Sequence, residues 1–241
     1  MEETMKELTN AIQTGGWNLP LTDGQLGQLN QYARLLVEWN EKINLTAITD
    51  RQEIAVKHFL DSLSLLHFVP PEQNAVVLDV GSGAGFPGMV LRIARPDLRL
   101  TCMDGTQKRI HFLSELAAAL GLQEVVCLHA RAEEAGRDPA LRETFDYVTA
   151  RAVANLHALA EYCLPFVKPG GKFVAMKGPD GATEADKAAK AIQTLGGEIR
   201  GVHTFTLPGT DFSRTLIEVA KTGQTPAIYP RPGGKMKKKP L

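Results

Sequence analysis

The sequence predicts a doubly wound α/β fold: a seven-stranded, mostly parallel sheet covered by helices, preceded by a helical extension. Three observations predict it. From residue 75 onward, short β-branched runs alternate with segments of helical spacing. The first of these runs ends in a glycine-rich turn, Gly81 to Gly88. The last two runs, 199–207 and 213–221, follow one another across Pro208-Gly209, which reads as an antiparallel hairpin.

Each element follows from its residues. Leu26, Leu29, Ala33, Leu36 and Val37 recur at three-four spacing behind Thr22 or Asp23 as N-cap. Ile54, Phe59, Leu60, Leu63 and Leu66 continue the helical character until Pro70-Pro71 stops it. Residues 1–72 therefore form the N-terminal helical extension. Strands are expected at 75–80, 98–103, 124–129, 145–150 and 171–177, and helices at 87–95, 107–120, 155–166 and 183–195. Alternation of this kind means right-handed crossovers and a parallel sheet. The α/β domain spans 73–222, and 223–241 is a basic tail.

Composition narrows the class. The 241 residues carry 27 basic and 27 acidic side chains and are 44% hydrophobic, enough for one large core. No apolar run approaches the roughly 20 residues of a membrane span, and the start, Met1-Glu2-Glu3-Thr4, is acidic where a signal peptide is basic, so the cytoplasm is expected. Cys102, Cys127 and Cys163 lack zinc-site spacing and read as reduced core residues, with no metal. Neutrality hides an asymmetry: residues 222–241 hold five basic side chains and no acidic one. Arg231, Lys235, Lys237, Lys238 and Lys239 are candidate phosphate contacts, with a solvated tail as the alternative.

The glycine turn implies a nucleotide-like ligand, because glycines let the backbone approach it closely. A phosphate-binding loop of the triphosphatase type needs Lys and Ser or Thr after Gly88, where Met89 and Val90 stand. Gly83-Ala84-Gly85-Phe86-Pro87-Gly88 does match the letters of a dinucleotide fingerprint, with Asp104 about 20 residues on. The strand ends at Val80, however, so the turn starts at Gly81, preceded by the acidic Asp79. A carboxylate there suits a ligand bearing ammonium and sulfonium charges better than a pyrophosphate. S-adenosylmethionine is such a ligand. Asp79, Gly81 and Gly83 then form its cradle, unless Asp79 merely caps the loop, and Asp104 has the chemistry to accept both ribose hydroxyls. Ala132 and Glu133, after the third strand, offer an amide and an acceptor for an adenine edge.

Several further stretches stand together: Trp39 to Ile48, His58 to Leu63, Leu78 to Gly88, Gln107-Lys108-Arg109, Arg131 to Glu134, Ala150 to Ala154, Met176-Lys177-Gly178 and Tyr229-Pro230-Arg231. In these motifs the chain resembles, from about residue 30 to its end, the RsmG family, formerly glucose-inhibited division protein B. The resemblance implies a class I S-adenosylmethionine-dependent methyltransferase fold, Rossmann-like, acting on guanine N7 of bacterial 16S rRNA in a loop near the decoding centre. It also implies cofactor contacts at Gly81, Phe86, Ala132, Glu133 and Arg151. Gly105 is a mild departure, since many members have serine there.

Residue chemistry agrees with N7. The exocyclic-amine pattern of Asn or Asp followed by Pro-Pro and an aromatic is replaced by Thr149-Ala150-Arg151-Ala152-Val153, and Cys163 lacks a cationic partner nearby in sequence to activate it. Guanine N7 carries a lone pair and no proton at neutral pH, so positioning rather than a general base is expected. Arg131, Arg151 and Lys177 fall just past strand ends and are the candidate positioning cations. Lys108 and Arg109, at a helix start, suggest an RNA anion, while His58 and Asp61 suggest a hydrogen bond docking the extension. The expected partner is 16S rRNA within a small ribosomal subunit particle. A dinucleotide oxidoreductase, a small-molecule or protein methyltransferase and a non-catalytic RNA-binding module are the rivals.

Overall fold

The structure is a computed structural model that describes residues 3–238 and 241. Two helices, α1 (Glu3–Thr14) and α2 (Asp23–Asn40), open the chain. Thr22 caps α2 in a reciprocal box with Gln25, and the apolar stripe buries Leu26, Leu29, Ala33 and Leu36 as their spacing requires. A third helical segment follows: α3 (Arg51–Ile54) passes through a π-helical turn (Ala55–Leu60) into α4 (Asp61–Phe68). That widened turn carries His58 and sets Asp61 at its end; such turns cluster at functional sites.

The sheet comprises β1 (Val76–Val80), β2 (Arg99–Asp104), β3 (Val125–His129), β4 (Phe145–Arg151), β5 (Val167–Lys177), β6 (Gly197–Thr206) and β7 (Ser213–Lys221). Their order is β3-β2-β1-β4-β5-β7-β6. The first five strands run parallel, and β7 runs antiparallel to β5 and β6. The order reverses between β1 and β4, where open parallel sheets leave a crevice at the carboxyl ends of their strands. Connecting helices are α5 (Gly88–Ala94), α6 (Gln107–Ala119), α7 (Ala132–Ala135), α8 (Leu156–Cys163) and α9 (Gly181–Thr194), and α10 (Gly233–Lys238) closes the described chain.

The two faces of the sheet bury two cores. One joins α1, α2 and the third helical segment to α5 and α6; the other packs α8 and α9 with the opposite face. The extension is stitched to the glycine turn by Tyr32, whose hydroxyl donates to the Ala84 carbonyl at 2.5 Å. Gly85, at φ +97°, lets that ring approach, since a Cβ there would meet the hydroxyl at 2.5 Å.

Most expected elements stand within a few residues of the sequence reading. The helix expected over 155–166 ends at Cys163 and tightens into a 3-10 turn at Leu164–Phe166, because Pro165 cannot continue an α-helix. The tail is not a free arm: residues 225–238 lie against the domain, as described below. Cys102 and Cys163 are buried, Cys127 is half-buried, and all three are free thiols. Among the described residues no cluster of metal-ligating side chains occurs and no helix is long and apolar enough to cross a membrane.

Candidate active site

Two clefts open side by side along the carboxyl rim of the sheet. The first, about 640 Å³, lies beyond β1, β2 and β3, with Gly81, Asp104, Arg131, Ala132, Glu133 and Val153 among its walls. The second, about 630 Å³, lies beyond β4, β5 and the start of β7, among Lys57, His58, Arg151, Lys177, Phe212 and Arg214. The segment from Arg151 to Val153 is the partition, with Arg151 facing the second cleft and Val153 the first. Ala152 between them is held at φ +56°, a left-handed conformation uncommon for a residue with a Cβ.

The first cleft has the size and chemistry of a nucleoside site. Gly81 turns the chain at φ +70°, and a Cβ there would sit 2.7 Å from Val153 Cγ2. Asp104 is buried at the cleft floor, its Oδ2 accepting from the Gly83 amide at 3.0 Å and its Oδ1 from the Thr106 amide at 2.8 Å. Oδ1 keeps lone-pair capacity for a ligand hydroxyl, whereas Oδ2 shares its remaining capacity with the Arg109 guanidinium at 3.5 Å. Gly83 thus serves the site through Asp104. Arg131 stands exposed at the mouth, and Ala132 and Glu133 begin α7.

Asp79 and Phe86, both expected cofactor contacts, face elsewhere, and Arg151, a third, lines the second cleft instead of the first. Asp79 lies wholly buried beneath the turn, where its Oδ2 accepts from the Gly88 amide at 3.0 Å. Strand alternation sets it on the same face as Val77, toward α5, so the loop-capping alternative holds. Burial pushes its carboxyl up to about 7, only partly offset by the Gly88 amide. Phe86 is also buried; its ring lies between Tyr32, 5.2 Å away, and His58, 4.4 Å away. Rather than lining the first cleft, it underlies Arg151, whose guanidinium sits 4.9 Å from the ring centre.

The second cleft is organised around Arg151. Its Nη1 donates to Asp61 Oδ2 at 3.0 Å, and its Nη2 lies 3.3 Å from His58 Nδ1. Asp61 also accepts from Arg214 Nε at 3.0 Å through its other oxygen. One buried carboxylate of the extension therefore grips cations from β4 and β7. His58 Nε2 lies 2.9 Å from Thr46 Oγ1. Burial and then the Arg151 charge push the imidazole down to about 3, so it is neutral at physiological pH. Phe212 brings an aromatic ring to the cleft with the Lys57 ammonium 5.0 Å from its centre.

Other expected residues are placed less simply. Lys177 reaches the second cleft, but its ammonium is held by the Ala154 carbonyl and Glu184, both at 2.8 Å, so it fixes the partition loop to α9. Lys108 is exposed; Arg109 is half-buried and approaches Asp104 at 3.5 Å. Arg231, a candidate phosphate contact, is engaged within the chain: its guanidinium grips Glu161 at 2.7 and 2.9 Å. Lys235 and Lys238 are exposed, the side chain of Lys237 lies outside the description, and Lys239 lies outside the described residues. Sequence reasoning missed Lys57, Phe212 and Arg214. Arg214 and Asp61 are 153 residues apart, and no spacing rule connects them.

Residues 25–214 match the GidB family, described as rRNA small subunit methyltransferase G. The chain belongs to this family. Proteins called ribosomal RNA small subunit methyltransferase G from Alkaliphilus metalliredigens and Exiguobacterium are 47% and 48% identical, over 99% and 98% of both chains. One from Acetivibrio thermocellus is 44% identical over 100% of each. Among solved structures, a 16S rRNA (adenine(1408)-N(1))-methyltransferase from Catenulisporales acidiphilia matches with TM-score 0.52 at 14% identity, over 62% of this chain and 86% of that one. A SAM-dependent methyltransferase from Aquifex aeolicus matches with TM-score 0.51 at 18% identity, over 76% and 97%. At these identities the structural likeness shows the fold alone, a class I methyltransferase sheet.

Proposed function

We propose that the chain is an S-adenosylmethionine-dependent methyltransferase that acts on guanine N7 of 16S rRNA, presented by a small ribosomal subunit particle. The observation that carries this is the shared partition: a nucleoside-sized cleft and a cation-lined cleft meet at Arg151–Val153. The residues of the first cleft fit the cofactor. Its glycine turn would be filled by a Cβ at Gly81, Asp104 retains acceptor capacity for ribose hydroxyls, and Ala132 with Glu133 offers an amide and an acceptor to adenine.

S-adenosylmethionine supplies an electrophilic methyl on sulfur when bound. Everything else is the work of the chain. Guanine N7 needs no deprotonation, so the residues bind, orient and exclude water. Arg151, aimed by Asp61 and His58 and backed by Phe86, is the cation nearest the partition and the one that addresses the base. Arg214, and Lys57 with its partner Glu53 one turn away, line the second cleft and suit phosphate or guanine O6, an acceptor where adenine presents an amino group. The Phe212 ring offers a stacking surface to an unstacked base. Arg131 lines the first cleft, and the exposed Lys108, Lys235 and Lys238 suit backbone phosphates.

Methyl incorporation into small-subunit particles from cells lacking the protein tests this reading. Label is expected at one guanine, lost with Arg151→Ala while S-adenosylhomocysteine binding persists. Label elsewhere, or undiminished turnover in Arg151→Ala, removes the assignment.

A further inference from the structure

The basic C-terminus has an inner face. Tyr229 and Met236 are buried, at 8% and 1% exposure, and Gly233, Gly234 and Met236 form a wall of the first cleft beside Glu133. The approach is close: a Cβ on Gly233 would stand 2.5 Å from Glu133 Oε1. Two arginine latches hold the segment. Arg231 is gripped by Glu161, a carboxylate only 1% exposed, which also accepts the Arg231 amide at 2.7 Å. Arg142 donates to the carbonyls of Tyr229 at 2.9 Å and Thr225 at 2.7 Å. The outer face shows Lys235 and Lys238 to solvent.

We propose that this strap, residues 229–238, is the outer wall of the cofactor site, closing over the adenosine end of S-adenosylmethionine, and that cofactor and product exchange when it lifts. The inference rests on the first cleft holding that cofactor. A merely solvated tail has no reason to bury a methionine and a carboxylate–guanidinium pair over a cleft. The strap's glycines lie where a side chain at 233 would collide with Glu133, the residue expected to read adenine. The gain from so few anchors is set against the entropy of ordering the whole segment, which leaves the strap close to balance and able to open without global unfolding.

Hydrogen exchange on the full chain, with and without S-adenosylhomocysteine, tests this. Slowed exchange is expected at 229–238 together with 81–86 and 132–133. Protection at 81–86 and 132–133 with 229–238 unchanged overturns the strap and leaves the cofactor reading intact; no protection anywhere overturns the cofactor reading and the strap with it. In stopped-flow measurement, Glu161→Gln combined with Arg231→Gln removes one latch without stranding a buried charge, and S-adenosylhomocysteine is expected to leave about tenfold faster. Met236→Ala, which keeps both latches, serves if that variant does not fold and is expected to speed release as well. Release at the wild-type rate from a folded variant overturns the proposal.

Discussion

Replacing Asp61 by asparagine isolates the grip of the extension on the second cleft. Asn keeps the size and one acceptor but turns a donor toward one of the two guanidinia, and it removes the negative charge between Arg151 and Arg214. Each charge-assisted hydrogen bond contributes about 1.5–3 kcal/mol. A fully buried cation stripped of its partner costs about 3–5 kcal/mol. Here the side chains of Arg151 and Arg214 keep 16% and 24% exposure, so water compensates in part and the loss falls near the low end, about 2–3 kcal/mol. For a chain of this size that is roughly 5–10 °C of melting temperature. Activity should fall further than stability, because an ångström of misplacement costs on the order of 100-fold. Thermal melts, methyl incorporation and S-adenosylhomocysteine calorimetry together read the result. Turnover is expected to drop about 10- to 100-fold while product affinity stays within about twofold, since Asp61 does not line the first cleft. Near-normal turnover in a folded Asp61→Asn protein, or product affinity falling as far as turnover, would refute the argument.

Three further outcomes are expected. Asp79 ionises in the folded state only near pH 7 because it is buried, so the stability it contributes is full below about pH 4 and is lost as pH rises through 7. Asp79→Asn should therefore flatten the decline in melting temperature between pH 5 and pH 8; parallel profiles for the two proteins would clear the carboxyl of that role. Asp104→Ala should weaken S-adenosylhomocysteine binding by roughly tenfold or more, since it removes both the acceptor and the anchor of the Gly83 amide; calorimetry with unchanged affinity would place the ribose elsewhere. Gly81→Ala meets a left-handed φ and the Val153 methyl together, so a loss of about 1–2 kcal/mol is expected from the backbone alone. In thermal melts, adding Val153→Ala should recover only the steric part of the lost stability, and full recovery would show that the backbone carries no strain.

The doubly wound order and the position of the first cleft are legible because they rest on local signals: alternation, a glycine turn and carboxylates at strand ends. Asp79 shows a limit that could have been passed. Counting along β1 places it with Val77 toward α5 and away from Val80, which lines the cleft. Phe86 could not be resolved this way, because its partners Tyr32 and His58 come from the extension. The strap was hidden for a different reason. A lysine run reads as solvent-facing, its anchors Tyr229 and Met236 stand alone in sequence, and Glu161 lies 70 residues from Arg231. Short α7 gives no periodicity to detect, and α1 buries only Met5, Leu8 and Ile12 as its apolar anchors.

The reversed polarity of β7 has a consequence for how such a protein diversifies. A parallel strand can present only its end to the carboxyl rim, but β7 presents its beginning, so the connection at 207–212 borders the second cleft with both of its roots fastened in the sheet. Changes at its exposed positions, Gly209 and Asp211, alter the rim of the second cleft while Leu207 keeps its place in the core. New RNA preferences are therefore to be sought, or engineered, first in this hairpin bend.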